Sequence, residues 1–199
     1  PVQIYHLAGF SSVKESFANP KLAYDVNVTG TENLFSAAMK LTKKPKILLV
    51  SSAEVYGKPN HLPITEEHSL APQSPYGKSR VIQEQLAKST NLPICVARSF
   101  NHSGPGQSSD FVLSSFGRQI AEIEKKQTKP TMYVGNLEAK RDFSDVRDVV
   151  NAYSVIMEKG KVGETYNVCS GEAYAIGDLL NKMLSMSKCK IVIEKDPKL

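Results

Sequence analysis

The first half of the chain alternates short, almost wholly apolar runs with longer segments whose apolar residues recur every three or four positions. Short apolar runs are typical of strands buried on both faces of a parallel sheet, and the longer segments are typical of amphipathic helices. The predicted strands are Gln3 to Leu7, Lys46 to Val50 and Pro93 to Arg98, and the predicted helices are Leu22 to Leu41 and Tyr76 to Ser89. Strands that alternate with helices predict an α/β fold with a parallel sheet.

The pattern becomes more mixed after Ser99, where a turn-rich loop begins. The remaining predicted helices are Phe111 to Lys125, Asp145 to Glu158 and Ile176 to Met186, and the remaining strands are Met132 to Val134, Thr165 to Val168 and Lys190 to Glu194. We therefore predict part of a sheet domain over residues 1–100. Residues 101–199 are predicted to form a smaller mixed α/β lobe interleaved with further elements of the sheet domain.

Composition narrows the class of protein. The 199 residues are 41% hydrophobic and 23% charged, which is ordinary for a folded domain. The net charge of +5 is spread over lysines interleaved with acidic residues, so we expect no nucleic-acid partner. No run of about eighteen apolar residues and no signal-peptide pattern is present, so we expect no membrane association. Three scattered cysteines favour free thiols and a cytoplasmic protein.

The ends of the chain carry a separate expectation. The sequence starts directly in an apparent strand, without methionine, and stops shortly after another strand. We expect the chain to be part of a longer protein, truncated at both ends.

Two polar motifs lie where a ligand site is expected. Ser51-Ser52-Ala53-Glu54-Val55-Tyr56-Gly57 follows a predicted strand, and Ser74-Pro75-Tyr76-Gly77-Lys78-Ser79-Arg80 opens a predicted helix. Open α/β sheets bind ligands at the carboxyl ends of their strands. A serine hydroxyl and a phenol can therefore meet at this edge.

The two motifs together resemble the extended short-chain dehydrogenase/reductase family, also called the NAD-dependent epimerase/dehydratase family, which acts on nucleotide-activated sugars. The resemblance implies a Rossmann-like doubly wound sheet and an NAD(P)H cofactor. In that family a Ser or Thr and the Tyr of Tyr-x-x-x-Lys polarise a carbonyl while hydride moves. Ser52 and Tyr76 match these residues, and Arg80 stands where the family has lysine.

Arg80 lies one helical turn from Tyr76, on the same face. A nearby cation favours the ionised phenol, whose ordinary pKa is about 10. Arginine keeps the charge and can donate to ribose hydroxyls, but it is bulkier and planar, so we expect weakened activity. Taken singly, Tyr76 would be read as an aromatic that packs under a loop.

The resemblance assigns further residues around the cofactor. It implies cofactor contacts for Leu7, Ala8, Gly9, Asn27, Ser51, Tyr76 and Arg80. Asn27 could instead brace the sheet, and Ser51 or Ser52 could simply cap a turn. The family's Gly-rich phosphate turn does not occur in this sequence, so we expect the chain alone to bind dinucleotide poorly and leave NAD or NADP undecided.

Glu54 matches the carboxylate with which dehydratase relatives take a proton beside the carbonyl, although it could be a solvated loop charge. Farther along, the segments Arg98 to Gln107, Val134 to Asp148 and Tyr166 to Gly171 resemble the branch of the family that reduces GDP-4-keto-6-deoxy sugars. That branch implies substrate contacts from Ser52, Asn101, Val134, Asn136 and Arg141. Arg141 could alternatively pair with a neighbouring aspartate.

The function implied by this resemblance is nicotinamide-dependent reduction of the C4 ketone of a GDP-4-keto-6-deoxy-hexose, which forms GDP-rhamnose. Glu54 keeps open a GDP-mannose dehydratase or another nucleotide-sugar epimerase or dehydratase. Arg80 keeps open a catalytically weakened relative that binds a nucleotide sugar. Relatives commonly form homodimers through the helices that correspond to Ala23 to Leu41 and Tyr76 to Ser89. No metal is expected, because arginines interrupt the nearest set of aspartates.

Overall fold

The computed structural model describes residues 1–196, so residues 197–199 of the predicted second lobe lie outside the described part. The chain divides into two compact units. The first comprises Pro1–Phe100 and Arg147–Cys169, and the second comprises Asn101–Val146 and the chain from Ser170 onward. The chain therefore returns to its first unit for a stretch of the second half. The roles predicted for the two parts stay predictions.

The elements follow one another in a regular βα order in the first part of the chain and a mixed order later. The strands are β1 (Gln3–His6), β2 (Lys46–Ser52), β3 (Ile94–Ser99), β4 (Asn101–Ser103), β5 (Thr131–Val134), β6 (Lys140–Asp145), β7 (Thr165–Val168), β8 (Ala173–Ala175) and β9 (Val192–Lys195). The helices are α1 (Val13–Ala18), α2 (Pro20–Tyr24), α3 (Gly30–Met39), α4 (Pro75–Lys88), α5 (Val112–Glu124), α6 (Val146–Lys159) and α7 (Ile176–Ser185).

A four-stranded parallel sheet in the order β1-β2-β3-β7 forms the first unit. Side chains alternate across β2, so that Ile47 and Leu49 pack with Phe35 of α3 on one face. On the other face Leu48 packs with Tyr153 of α6. Each fully buried side chain of this kind contributes about 1.5–3 kcal/mol. The predicted α/β class with a parallel sheet is confirmed.

The helix predicted over Leu22 to Leu41 is interrupted. Helices α2 and α3 are joined by a π-helical turn at Asp25–Thr29, which buries Asn27 and Val28. Such turns add a residue to the helical path and re-aim a side chain. Of the two buried residues, Asn27 is polar and bonds the loop after β1 through Phe10 and helix α4 through Ser79.

The second unit contains two small sheets. Strand β5 pairs in parallel with β9, while β6 pairs in parallel with β4 and antiparallel with β8. Helices α5 and α7 cover β5 through Phe116, Met132 and Leu180. Strand β6 was not predicted, because its residues are mostly charged and lack a two-residue alternation.

Some classes of feature are not found within residues 1–196. None of the helices there combines the length and the hydropathy that crossing a bilayer requires. No three metal-binding side chains converge in the same range. Within the same range the three cysteines form no disulfide, and Cys95 is buried whereas Cys169 is exposed.

Candidate active site

Strand β2 ends at Ser52 and continues directly into a 3₁₀ turn, Ala53–Val55. The Ser52 hydroxyl oxygen accepts a hydrogen bond from the Glu54 amide at 3.2 Å, so the serine caps this turn. A hydroxyl that accepts still has its proton to donate. Ser52 can therefore cap the turn and donate to a carbonyl oxygen at the same time.

Helix α4 begins where the sequence predicts it. The Ser74 hydroxyl accepts from the Gly77 amide at 3.0 Å, and Pro75 occupies the first helical position. This start fixes Tyr76 in the first turn of the helix, where its side chain is largely buried, with 7% of its surface exposed.

Two glycines bring this helix against the turn that follows Ser52. Gly57 has φ +63°, and a Cβ there would lie 2.0 Å from the Ala71 carbonyl oxygen, so the intervening loop folds back on itself. A Cβ on Gly77 would lie 2.8 Å from the carbonyl oxygen of Glu54. The turn that carries Ser52 and the turn that carries Tyr76 are therefore packed in direct backbone contact.

Arg80 lies beneath Tyr76 with 5% of its surface exposed, and its guanidinium carbon is 5.1 Å from the centre of the phenol ring. Its Nη1 donates to the Val50 carbonyl at 3.1 Å and to Gln83 Oε1 at 2.9 Å, and its Nη2 donates to the Phe10 carbonyl at 3.4 Å. Three of the five guanidinium protons are thereby used. Nε is buried and has no partner among the described residues.

The loop after β1 crosses over this guanidinium. Leu7, Ala8 and Gly9 are exposed there, and a Cβ on Gly9 would lie 2.8 Å from Arg80 Nη2 and 2.9 Å from Asn27 Oδ1. Only glycine fits such a close approach without displacing a buried group. The glycine at position 9 therefore has a steric cause, and the cofactor contacts predicted for Leu7, Ala8 and Gly9 stay predictions.

Asn27 is fully buried and braces this loop. Its amide group accepts from the Phe10 amide at 2.7 Å, donates to the Phe10 carbonyl at 3.2 Å and donates to Ser79 Oγ at 2.8 Å. The bracing interpretation of Asn27 accounts for these bonds. The cofactor contact predicted for Asn27 stays a prediction.

A chain of buried polar groups leads from Arg80 to the end of β1. Gln83 donates to Thr31 Oγ1 at 2.6 Å, and the His6 ring nitrogen Nε2 lies 2.9 Å from the same oxygen. Burial, and secondly the charge of Arg80, lower the pKa of His6 from 6.5. His6 is therefore harder to protonate in the folded chain than in the unfolded chain.

Ser51 and Glu54 differ in their surroundings. Ser51 is 3% exposed and donates to Glu84 Oε1 at 2.6 Å, so its hydroxyl is bound to α4. Glu54 is half-buried on the turn that contacts Gly77. Their predicted roles toward cofactor and substrate stay predictions.

Sequence reasoning missed Tyr153 and Ser99, whose hydroxyl oxygens lie 2.5 Å apart and are both buried. Burial raises the pKa of Tyr153, the Ser99 bond opposes this, and the charges of Tyr76 and Arg80 also act on it. Tyr153 therefore lies within electrostatic range of the predicted acid. Its sequence position is a regular apolar position of α6, so the sequence carried no signal of this.

Apart from Ser52, the residues predicted to bind the sugar nucleotide lie in the second unit. Asn101 begins β4 and pairs with Phe143 of β6, the strand that also carries Arg141. Arg141 is exposed and donates to the Lys140 carbonyl at 2.8 Å, while the carboxylate of Asp142 accepts from backbone amides at positions 170 and 171.

Val134 is the last residue of β5, and Asn136 lies two residues farther along the chain. Their surroundings differ. The Val134 side chain is 1% exposed and lies in the core of the second unit, so it could meet a ligand only through its backbone. Asn136 is exposed, and its Oδ1 accepts from the Glu138 amide at 2.9 Å in a tight turn. The substrate roles of these residues stay predictions.

Comparison with known proteins gives consistent results. The family model described as GDP-mannose 4,6 dehydratase matches residues 1–198. The chain is 36% identical to the GDP-6-deoxy-D-mannose reductase of Pseudomonas aeruginosa, over 99% of this chain and 67% of that protein. It is 30% identical to the human GDP-mannose 4,6 dehydratase, over 92% of this chain and 50% of that protein.

Among solved structures, the chain is similar to RMD from Pseudomonas aeruginosa complexed with NADPH, with a TM-score of 0.94 and 35% identity. That likeness covers 99% of this chain and 68% of the other. The Rossmann-like fold is thereby confirmed. The chain spans about two thirds of the reductase and half of the human dehydratase.

Proposed function

The chain belongs to the GDP-mannose 4,6-dehydratase family, and from this premise we propose that it carries the catalytic residues of a nicotinamide-dependent GDP-4-keto-6-deoxy-hexose reductase. The likeness to the bacterial GDP-6-deoxy-D-mannose reductase over nearly the whole chain supports this choice within the family. The single observation that carries the proposal is the backbone contact of Gly77 with Glu54, which packs the turns of Tyr76 and Ser52 together.

The residues divide the work as follows. Ser52 donates a hydrogen bond from its hydroxyl to the C4 carbonyl oxygen and holds that oxygen in place, while its own oxygen accepts from the Glu54 amide. Tyr76 then gives a proton to the same oxygen as negative charge develops there. Arg80 lies under the ring, with its guanidinium carbon 5.1 Å from the ring centre, and holds the ring in place. The tuning of Tyr76 by Arg80 stays a prediction.

The residues present fit a nicotinamide cofactor at the ends of β1 and β2. The exposed Leu7-Ala8-Gly9 backbone leaves a surface without side chains at Gly9, and Arg80 keeps a buried Nε proton without a partner among residues 1–196. When bound, a reduced nicotinamide supplies the hydride. Arg80 would donate to it through the two protons that its protein acceptors leave over.

For partners and location, the proposal takes a GDP-sugar as substrate, a homodimer as the assembly and the cytoplasm as the compartment. Three scattered cysteines without a paired spacing support a reducing compartment. Exposed Leu22 and Tyr24 near the start of the predicted dimer helix support association. Cross-linking and size-exclusion chromatography of the full-length protein would test the dimer.

The test uses the full-length protein with a GDP-4-keto-6-deoxy-hexose and NADPH or NADH, followed by the ultraviolet absorbance of the reduced cofactor. We expect stoichiometric oxidation of the cofactor. Tyr76→Phe, which removes only the phenol oxygen, should slow turnover by a factor of about 10² or more. The matched control is Tyr24→Phe, an exposed tyrosine of α2, which should leave turnover unchanged. Wild-type protein that oxidises no cofactor would refute the proposal.

A dehydratase is the second candidate, because Glu54 sits on the same turn as Ser52 and several relatives are GDP-mannose dehydratases. A dehydratase returns the hydride that it removes, so added reduced cofactor would not be consumed. Incubation with GDP-mannose and oxidised cofactor would then yield the keto sugar. This candidate would be favoured if the wild-type protein formed the keto sugar and the Glu54→Gln variant did not.

A catalytically weakened relative is tested through Arg80. Lysine cannot reach Val50, Gln83 and Phe10 together as the guanidinium does, so we expect Arg80→Lys to slow turnover about tenfold. Turnover that appears only in the Arg80→Lys protein would instead show that arginine had suppressed the activity.

A further inference from the structure

A buried ion pair lies beside the proposed active site. The Arg98 guanidinium on β3 bonds both carboxylate oxygens of Glu84 on α4, with distances of 3.0 Å from Nε to Oε1 and 2.7 Å from Nη2 to Oε2. The two residues are 3% and 1% exposed. A two-point pair between buried side chains favours one geometry, because a rearrangement would leave a buried charge without a partner.

The same pair is held on its other side. Arg98 Nη1 donates to the hydroxyl of Tyr56 and to the carbonyl of Glu66, both at 2.9 Å. The Tyr56 hydroxyl in turn donates to Asn167 Oδ1 at 2.7 Å, on the neighbouring strand β7. The carboxylate of Glu84 is therefore a fixed point that joins α4, β3 and β7.

Ser51 is the residue that attaches strand β2 to this fixed point through its side chain. Its hydroxyl donates to Glu84 Oε1 at 2.6 Å. Ser51 immediately precedes Ser52, and Glu84 lies two helical turns after Tyr76 on the same helix. One hydrogen bond thus links the strand of the proposed carbonyl-holding serine to the helix of the proposed acid.

The direction of the Ser51 side chain separates it from the residues that meet the ligands. Successive side chains of a strand point to opposite faces, so Ser51 points with Ile47 and Leu49 toward the face covered by α3 and α4. Ser52 points to the other face. A hydroxyl that is 3% exposed and bound to a carboxylate is poorly placed to contact a cofactor.

We propose that Ser51 is a positioning residue whose hydroxyl, bound to the Glu84 carboxylate, fixes Ser52 relative to Tyr76. This inference rests on the proposed reductase function, in which both residues act on one oxygen atom. It gives Ser51 a role that differs from the cofactor contact implied by the family resemblance.

Ser51→Ala tests the link with little risk to folding. The substitution leaves Oε1 of Glu84 bonded to Arg98, so no buried charge loses its last partner. In the full-length protein we expect kcat to fall about tenfold while KM for cofactor and for keto sugar stays within about twofold, because small misplacements of reacting groups are costly. Ser51→Thr, which keeps the hydroxyl, should restore most of kcat.

The matched control is Ser16→Ala. Ser16 is also fully buried, but its hydroxyl donates to Val13 within its own helix and joins no other element. This variant should show wild-type kcat. A rise in cofactor KM with kcat unchanged in Ser51→Ala would overturn the proposal in favour of a direct cofactor contact, and wild-type kinetics would show that the bond is without effect.

Amide hydrogen exchange separates failure of this inference from failure of the proposed function. In Ser51→Ala we expect faster exchange in the turn after Ser52 and in the first turn of α4, and no change in Ser16→Ala. This readout needs no turnover, so it decides the positioning role even if wild-type protein proves inactive toward the keto sugar. If Ser51→Ala showed wild-type exchange rates in both segments, the inference would be wrong.

Discussion

Replacing Gly77 by alanine tests the contact on which the site depends. The new Cβ would lie 2.8 Å from the Glu54 carbonyl oxygen, about 0.6 Å inside the 3.4 Å at which ordinary contact begins. The obstacle is a backbone atom, so no side-chain rotation relieves it. Helix α4 or the turn after Ser52 must move, and either movement separates Tyr76 from Ser52.

The magnitude follows from two opposed effects. Alanine favours the helix by up to about 1 kcal/mol relative to glycine. Overpacking typically costs about 1–3 kcal/mol, so we expect a net loss of about 1 kcal/mol in the free energy of unfolding. A displacement of the reacting groups by roughly half an ångström should lower kcat about tenfold or more, because a misplacement of about 1 Å can lower the rate about 10²-fold.

Gly30→Ala is the matched control, since Gly30 is also in the first turn of a helix but a Cβ there meets nothing within 4 Å. It should raise stability by up to about 1 kcal/mol and leave kcat unchanged. The assays are urea unfolding and cofactor oxidation by the full-length protein. If Gly77→Ala matched Gly30→Ala in both, the two turns would not be in the contact described.

Three further predictions concern buried charge and hydrogen bonds. Glu84→Leu should lower the free energy of unfolding by about 3–5 kcal/mol because Arg98 is left unpaired, and Arg98→Met added to it should recover much of the loss, as urea unfolding would show. Lys46→Met should cost about 1–2 kcal/mol without changing kcat, because Nζ donates to backbone carbonyls at the end of α6 at 2.8 and 2.9 Å. His6, whose pKa burial lowers in the folded state, should not affect stability above pH 6.5 and should lower it as pH falls below 6.5, since only the unfolded chain then gains the proton. In thermal melts, the fall of stability with decreasing pH should be smaller for His6→Gln than for wild type. An equal fall in both proteins would mean that His6 titrates alike in the folded and unfolded states.

The sequence predicts well those elements that carry a strong local signal, such as an apolar run or a helix cap. Strands β2 and β3 are apolar runs buried on both faces, and the start of α4 has its cap and its proline at the expected positions. The elements that escaped prediction are short or charged. Helix α1 has six residues, and β6 is held by pairing with β4 and β8 instead of by an apolar face.

The site shows a similar division. Ser52 follows a strand end, and Tyr76 and Arg80 lie at fixed offsets from a helix start, so the sequence predicts them as site residues. The sequence does not predict their hydrogen-bond partners. Phe10, for example, lies 70 residues from Arg80 and reaches it only because the loop packs there. Glu84 resembles an ordinary helix-surface charge, and only the fold shows that Arg98 buries it.

The exchange of lysine for arginine changes how this site is held together. A lysine ammonium carries three N–H donors on one flexible nitrogen, whereas the Arg80 guanidinium is a rigid planar group with five. In this chain the guanidinium donates hydrogen bonds to the Val50 carbonyl near the end of β2 and to the Phe10 carbonyl in the loop after β1. It also contacts the Tyr76 ring and leaves room for no side chain at Gly9. The same side chain therefore packs on the phenol ring and ties together the two strand ends that flank the proposed cofactor site. A shorter cation could supply the charge but could not make both anchors, which is why activity and the stability of the first unit should fall together in Arg80→Lys.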